Sequence, residues 1–104
     1  MSLPKEVLVA GTVYNVESKP YVEFNDNANA LGCCTYDKAT IEVKSEMSEE
    51  RVEEVFVHEL MHAIMYEAGY DEHDEDLVNR SAKVLYQVLK DNSFNFLHGE
   101  QNAT

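Results

Sequence analysis

Between Val55 and Met65 the chain reads VFVHELMHAIM, in which eight of eleven residues are apolar and the exceptions are His58, Glu59 and His62. A run this apolar reads as a helix buried over most of its circumference. A buried imidazole or carboxylate without a partner costs on the order of 1 to 3 kcal/mol, so the fold has to supply something that satisfies all three groups. His58 and His62 stand four residues apart, about 40° around a helix, so both rings leave one face and can converge on a single ion. Glu59 lies about 100° from His58, beside such an ion without ligating it, the place for a general base that takes a proton from a metal-activated water. With 4 His and 14 Glu in 104 residues, chance supplies roughly 0.02 matches to H-E-x-x-H. A surface helix with incidental histidines is at odds with Val55, Phe56, Val57, Leu60, Ala63 and Ile64, which leave too little polar surface.

The rest of the chain is read around this helix. At 104 residues it accommodates one domain, residues 1–104, with a core over about 4–97 and a frayed tail over 98–104. The first three residues are given no structural weight. From Pro4 to Lys44 short alternating runs, VLVAGTVYNV, YVEF, CCTY and TIEV, read as strands of a small antiparallel sheet. Asp37, Lys38 and Ala39 form the turn of a hairpin from GCCTY to TIEVK, and NDNANA reads as a loop. Beyond Ser45 the period changes. Ser48 is the expected N-cap of a first helix, followed by Glu49 and Glu50 at the positive end of its dipole. The helix runs to about Ala68, where Gly69 takes the left-handed C′ position with Tyr70 behind it. A second helix begins near Asp74 and ends by Asn92, with Val78, Ala82, Leu85 and Leu89 along its apolar face. Phe94 and Phe96 are expected to fold back on the core. The fold class is therefore α+β, a small antiparallel sheet packed on the HELMH helix and a second C-terminal helix.

Composition narrows the partners. Twenty acidic residues against eight basic give a formal charge of −12, which excludes a nucleic acid held through its phosphates and disfavours an anionic membrane. No apolar run reaches the length needed to cross a bilayer. Cys33 and Cys34 are adjacent, with no other cysteine to pair with, so no disulfide framework is expected and the cytoplasm is the expected compartment. Alternation along a strand sends the two thiols to opposite faces, one to the core and the other to a loop or solvent, so they do not share an ion. His98 is expected in solvent, and Tyr36, Tyr66 and Tyr70 are read as packing tyrosines able, if near the ion, to donate to an oxyanion.

Two histidines do not complete a catalytic zinc site, which usually takes three protein ligands and a water. Glu72, His73, Asp74, Glu75 and Asp76 can each supply the third, and the dipole of the second helix explains most of this acidic run without any ion. Glu75 is favoured because first-turn side chains lean back towards the N-terminus and because Asn79, four residues on, shares its face and can hydrogen-bond a ligand imidazole. His73 is the rival third ligand.

HELMH, a glycine-ended helix and then E-D-L-V-N resemble the gluzincin branch of the zincin metallopeptidases. More narrowly, HELMHAIMYEAGYDEHDEDLVNRSAKVLYQVLKDN resembles the short zincin-like proteins of phages and prophages related to the ImmA/IrrE metallopeptidases, over about residues 52–92. The resemblance implies one zinc per chain held by His58, His62 and Glu75, with Glu59 as catalytic base and Asn79 supporting a ligand histidine. Only twelve residues separate His62 from Glu75, fewer than in larger gluzincins, so the turn between the helices has to be tight. A site using His73 would resemble a stretched metzincin, without the early glycine expected after the second histidine. The resemblance also implies that a substrate peptide lies along an edge strand, which it assigns to Thr40–Lys44.

The expected function is hydrolysis of peptide bonds in a protein or peptide substrate, with Glu59 passing the proton of the attacking water to the leaving amine. So short a chain leaves little material for a deep cleft, so the substrate docks over a broad surface or a protein partner completes the activity. Two other classes compete: a catalytically silent binding or regulatory module, and a small domain with a purely structural zinc. Glu59 separates them, because a structural site has no use for a carboxylate beside an open coordination position.

Overall fold

The computed structural model describes residues 3–24 and 27–99, with residues 27–29 in backbone only. What was expected of Met1, Ser2, Asn25, Asp26 and residues 100–104 lies outside them. The run VLVAGTVYNV is two strands, β1 (Glu6–Val9) and β2 (Thr12–Lys19), because the chain reverses at Ala10 and Gly11. Both turn residues have positive φ, 51° and 83°. That backbone matches the right-handed twist of a two-residue hairpin, and glycine at its second position lowers the cost. Next come β3 (Val22–Phe24) and β4 (Asn27–Ala30), a separate two-stranded antiparallel sheet. The asparagine-rich stretch expected as a loop thus contributes a strand.

The main sheet is completed by β5 (Gly32–Thr35) and β6 (Thr40–Lys44), the expected hairpin, in the order β1-β2-β6-β5. It is mixed and not antiparallel as expected: β2 and β6 run parallel, from Asn15 beside Thr40 to Lys19 beside Lys44. Alternation has period two in either direction, so it carries no information on strand polarity, and the long connection between the two strands permits the parallel pairing. A second correction follows from the same order. Thr40–Lys44 is an interior strand, and the edge beside the HELMH helix is β5.

One face of this sheet is apolar. Val9, Tyr14, Cys34, Ile41 and Val43 gather there with Ala63 of the helix in a single buried cluster, and Leu3 packs against it despite the lack of weight given to it from sequence. Tyr14 is fully buried and donates its hydroxyl to Glu67 at 2.8 Å. The long helix α1 (Glu49–Glu67) begins where Ser48 accepts a hydrogen bond from the Arg51 amide. It ends in a glycine cap: Gly69 at φ 106°, with the Gly69 amide on the Tyr66 carbonyl and the Tyr70 amide on that of Met65. After a short turn, α2 (Glu75–Asp91) starts at Asp74, whose carboxylate accepts from the amides of Asp76 and Leu77.

The second helix packs on α1, with Val78 and Ala82 buried. Leu85 is half-buried and Leu89 exposed, so the apolar face expected to run its full length is covered only in its first half. Phe96 is 65 % exposed in a final 3-10 turn, α3 (Asn95–His98), and does not return to the core as expected; Phe94 is half-buried. Near the start of α1, Glu53 is buried yet satisfied. It accepts from the Tyr86 hydroxyl at 2.7 Å and from Lys90 at 3.1 Å, which together hold its carboxyl below the usual range. No helix among the described residues is long and apolar enough to cross a membrane.

Gly32 sets how closely α1 approaches the sheet edge. A Cβ there would lie 2.6 Å from a Val55 methyl, 3.0 Å from the Glu42 carbonyl and 3.3 Å from the Glu59 side chain. We expect Gly32→Ala to push α1 off β5 at a cost of about 1 to 3 kcal/mol, measured by urea unfolding. Gly11→Ala, which meets nothing within 4 Å, tests backbone strain alone.

Candidate metal centre

HELMH occupies the middle of α1, the helix wedged between the sheet and α2. His62 is buried and His58 partly so, with side chains 11 % and 25 % exposed. Their rings lie 5.1 Å apart, inclined by 65°. The cap at Asp74 puts Glu75 at the first position of α2, and the carboxylate reaches back to both rings: 3.7 Å to His58 Nε2 and 3.2 Å to His62 Nε2. Two ligands bound to a tetrahedral ion at zinc distances are about 3.3 Å apart, so these separations fit an ion held between the three side chains. Among the described residues His58, His62 and Glu75 are the group able to hold one, their donor atoms all within 4.8 Å of one another.

Glu59 faces the same space under different conditions. It is 8 % exposed, and no hydrogen bond to its carboxyl is found among the described residues. Burial, and secondarily the negative charge of Glu75, push its carboxyl up to about 7. That value suits a group that gives and takes a proton near neutrality. Burial also lowers His62 below the ordinary imidazole value, reinforced by His58 and His73 and opposed by Glu75. A neutral ring is the form that can ligate.

His73, the rival third ligand, stands on the other side of His62. Its Nδ1 is 2.7 Å from His62 Nδ1, its Nε2 is 2.8 Å from the Tyr70 carbonyl, and the two rings are stacked at 5.0 Å. The structure therefore groups Glu75, and not His73, with the Nε2 atoms of the two histidines. Asn79 is exposed and hydrogen-bonds neither imidazole; it lines a groove with His58 and Glu59. The residue that meets a ring nitrogen of His62 from this side is His73. Its position two residues before Glu75 carried no signal of this, because only the folded turn shows on which side of His62 each group arrives.

Two cavities meet at Gly32, His58 and Glu59. One, of about 470 Å³, is walled by Tyr36, His62, His73 and Glu75. The other, of about 530 Å³, runs outward between the helices over Leu31, Val55 and Ala82, past Arg51 and Lys83. Tyr36 stacks on Tyr66 with ring centres 4.3 Å apart, and its hydroxyl lies 3.4 Å from His73 Nδ1. Burial pushes that phenol up to about 12, so it remains a hydrogen-bond donor. Tyr70 is exposed and serves through its backbone carbonyl; His98 is in solvent as expected. Both cysteines are free and buried, so of the loop or solvent expected to face one of them, solvent is corrected. Cys34 joins the core and Cys33 lies against Glu42 across the strand pair, where β3 packs alongside β5. Burial pushes the two thiols up to about 11 for Cys33 and about 12 for Cys34, so both stay protonated.

No family model, curated protein or solved structure matches the chain.

The state of Glu59 has a measurable signature in metal-free protein. With a folded value of about 7 against about 4.3 in the unfolded chain, the folded state holds the proton more tightly. Stability therefore falls as pH rises from about 4 to about 7, by on the order of 3 kcal/mol. Glu59→Gln removes this slope and leaves a protein more stable than wild type above neutrality, checked by urea unfolding with chelator present at several pH values.

Proposed function

We propose that the chain is a zinc-dependent peptidase of the gluzincin type, related to the ImmA/IrrE metallopeptidases, acting on a protein or peptide. One observation carries the reading: three donors converge at separations that fit a single divalent ion, and beside them stands the carboxyl group of Glu59, 8 % exposed and with no hydrogen bond found among the described residues. His58, His62 and Glu75 would hold the ion. A zinc ion bound there polarises a carbonyl and brings the pKa of a coordinated water towards about 7. Glu59 accepts a proton in the step that attacks the carbonyl and delivers it to the departing amine. Its raised value makes both transfers feasible near neutral pH. Tyr36 and His58 line the same cavity, and the Tyr36 hydroxyl is a donor available to a developing oxyanion.

Access supports an extended substrate. The edge strand β5 runs beside α1, and Gly32 brings backbone and Glu59 together without an intervening side chain. A peptide lying along β5 would place residues on either side of its reacting bond in the two cavities that meet at His58 and Glu59. A structural zinc site closes with a fourth protein ligand; among the described residues the donor group has three members.

The experiment is elemental analysis of protein offered zinc, followed by hydrolysis of a peptide library. Wild type is expected to hold about one zinc per chain. His58→Ala and Glu75→Gln lose most of it, whereas Glu59→Gln keeps the ion and loses cleavage by about 100-fold or more. A wild type that takes up no zinc overturns the reading. Zinc uptake without cleavage, unchanged by Glu59→Gln, points to the silent binding module.

A further inference from the structure

His62 is gripped from both sides. Glu75 approaches its Nε2 at 3.2 Å, while His73 Nδ1 meets its Nδ1 at 2.7 Å. The proton arrangement along this line follows from the far end. The Tyr70 carbonyl can only accept, so His73 Nε2, 2.8 Å away, carries a hydrogen and donates it. A neutral His73 then has a bare Nδ1, which needs a donor facing it. The His62 Nδ1 is the nearer of its two neighbours, the Tyr36 hydroxyl lying at 3.4 Å. His62 therefore carries a hydrogen on Nδ1 and donates it to His73, which leaves Nε2 as the nitrogen that faces Glu75 and the space shared with His58.

We propose that His73 is a positioning residue that fixes the tautomer and ring orientation of His62, so that Nε2 is committed to the ion. The proposal rests on the metal-site reading above. It also assigns a task to the tight turn between the helices, since Tyr70, His73 and Glu75 all belong to it or border it. The Tyr70 carbonyl is set by the glycine cap of α1, because the Tyr70 amide is bound to Met65 and Gly69 turns the chain at positive φ. The chain of contacts thus runs from that cap through His73 to His62. Stacking of His73 on His62 at 20° and its edge contact with Tyr36 at 5.9 Å hold the ring in place along the way.

Two substitutions separate the acceptor from the ring. His73→Phe keeps an aromatic ring between Tyr36 and His62 but has no acceptor. His73→Asn loses the ring and places an amide oxygen about where Nδ1 stood. The tautomer of His62 is read by long-range proton–nitrogen correlation on nitrogen-15-labelled, metal-free full chain at about pH 8.5, two units above the ordinary imidazole value. Zinc affinity is measured by competition with a chelating dye. Wild type and His73→Asn are expected to show His62 protonated on Nδ1, and His73→Phe a mixture. His73→Phe is expected to bind zinc about 10- to 100-fold more weakly, and His73→Asn to recover most of that loss. His62 without a hydrogen on Nδ1 in wild type overturns the proposal whatever the variants do, including the case where His73→Phe does not fold. A His73→Phe protein with wild-type zinc affinity overturns it as well. If wild type binds no zinc, the metal reading fails separately, and the tautomer measurement still decides whether His73 directs His62.

Discussion

Desolvation of the HELMH polar groups is the constraint on which the rest of the structure depends. Placing two imidazoles and a carboxylate in an apolar helix, and that helix between a sheet and a second helix, removes most of the water that would otherwise satisfy them. The fold answers each group differently. His62, the most buried of the histidines, has a partner on each nitrogen. His58 stays partly open and shares Glu75 with it. Glu59 has no hydrogen bond found among the described residues, and burial, with the negative charge of Glu75 second, pushes its carboxyl up to about 7. The contrast with Glu53 is instructive. Both are carboxylates of the same helix and equally buried at 8 % exposure, yet Glu53 meets a tyrosine and a lysine and is held in its charged form. One carboxylate fastens the helices together; the other is pushed by burial towards its protonated form.

The elements that position these groups were legible in the sequence to different degrees. Helix ends were clear, because Ser48, Gly69 and Asp74 act through local hydrogen bonds whose geometry their own side chains, or lack of one, determine. The grouping of Glu75 with His58 and His62 was likewise readable, since it follows from helical spacing and from the lean of first-turn side chains. Strand polarity was not. The parallel pairing of β2 and β6 depends on where a long connection travels, which no alternating pattern records. With polarity misjudged, the edge strand was misplaced too, from β5 to its neighbour β6. That His73, and not Asn79, meets a ring nitrogen of His62 was not legible for a related reason. A residue's distance along the chain says whether it can reach His62, but not which nitrogen it meets.

The short segment from Gly69 to Glu75 does more than close a turn. It delivers a carbonyl, an imidazole and a carboxylate to one side of α1, and two of these bracket His62 from opposite nitrogens. Glu75 is 67 % exposed as a side chain, so no packing holds it in place. What fixes it is the start of α2, capped by Asp74, and the seating of Val78 and Ala82 against α1. Two helices joined through a common imidazole are thereby coupled: displacing α2 removes the carboxylate donor.

This coupling bears on how so small a chain stays folded. A domain of 104 residues has a net stability of about 5 to 15 kcal/mol, and here the burial of Glu59 and an incompletely covered α2 both subtract from it. A ligand that binds the folded state alone, present at about a thousand times its dissociation constant, adds about 4 kcal/mol. An ion shared between α1 and α2 would act at the place where the apolar contact is thinnest, since α2 buries fully only Val78 and Ala82. Coordination at the first turn of α2 would then supply a tertiary contact that its exposed second half does not make. An ion at His58, His62 and Glu75 would thus link the two helices that bury Glu59, so that the same three side chains would serve both binding and stability.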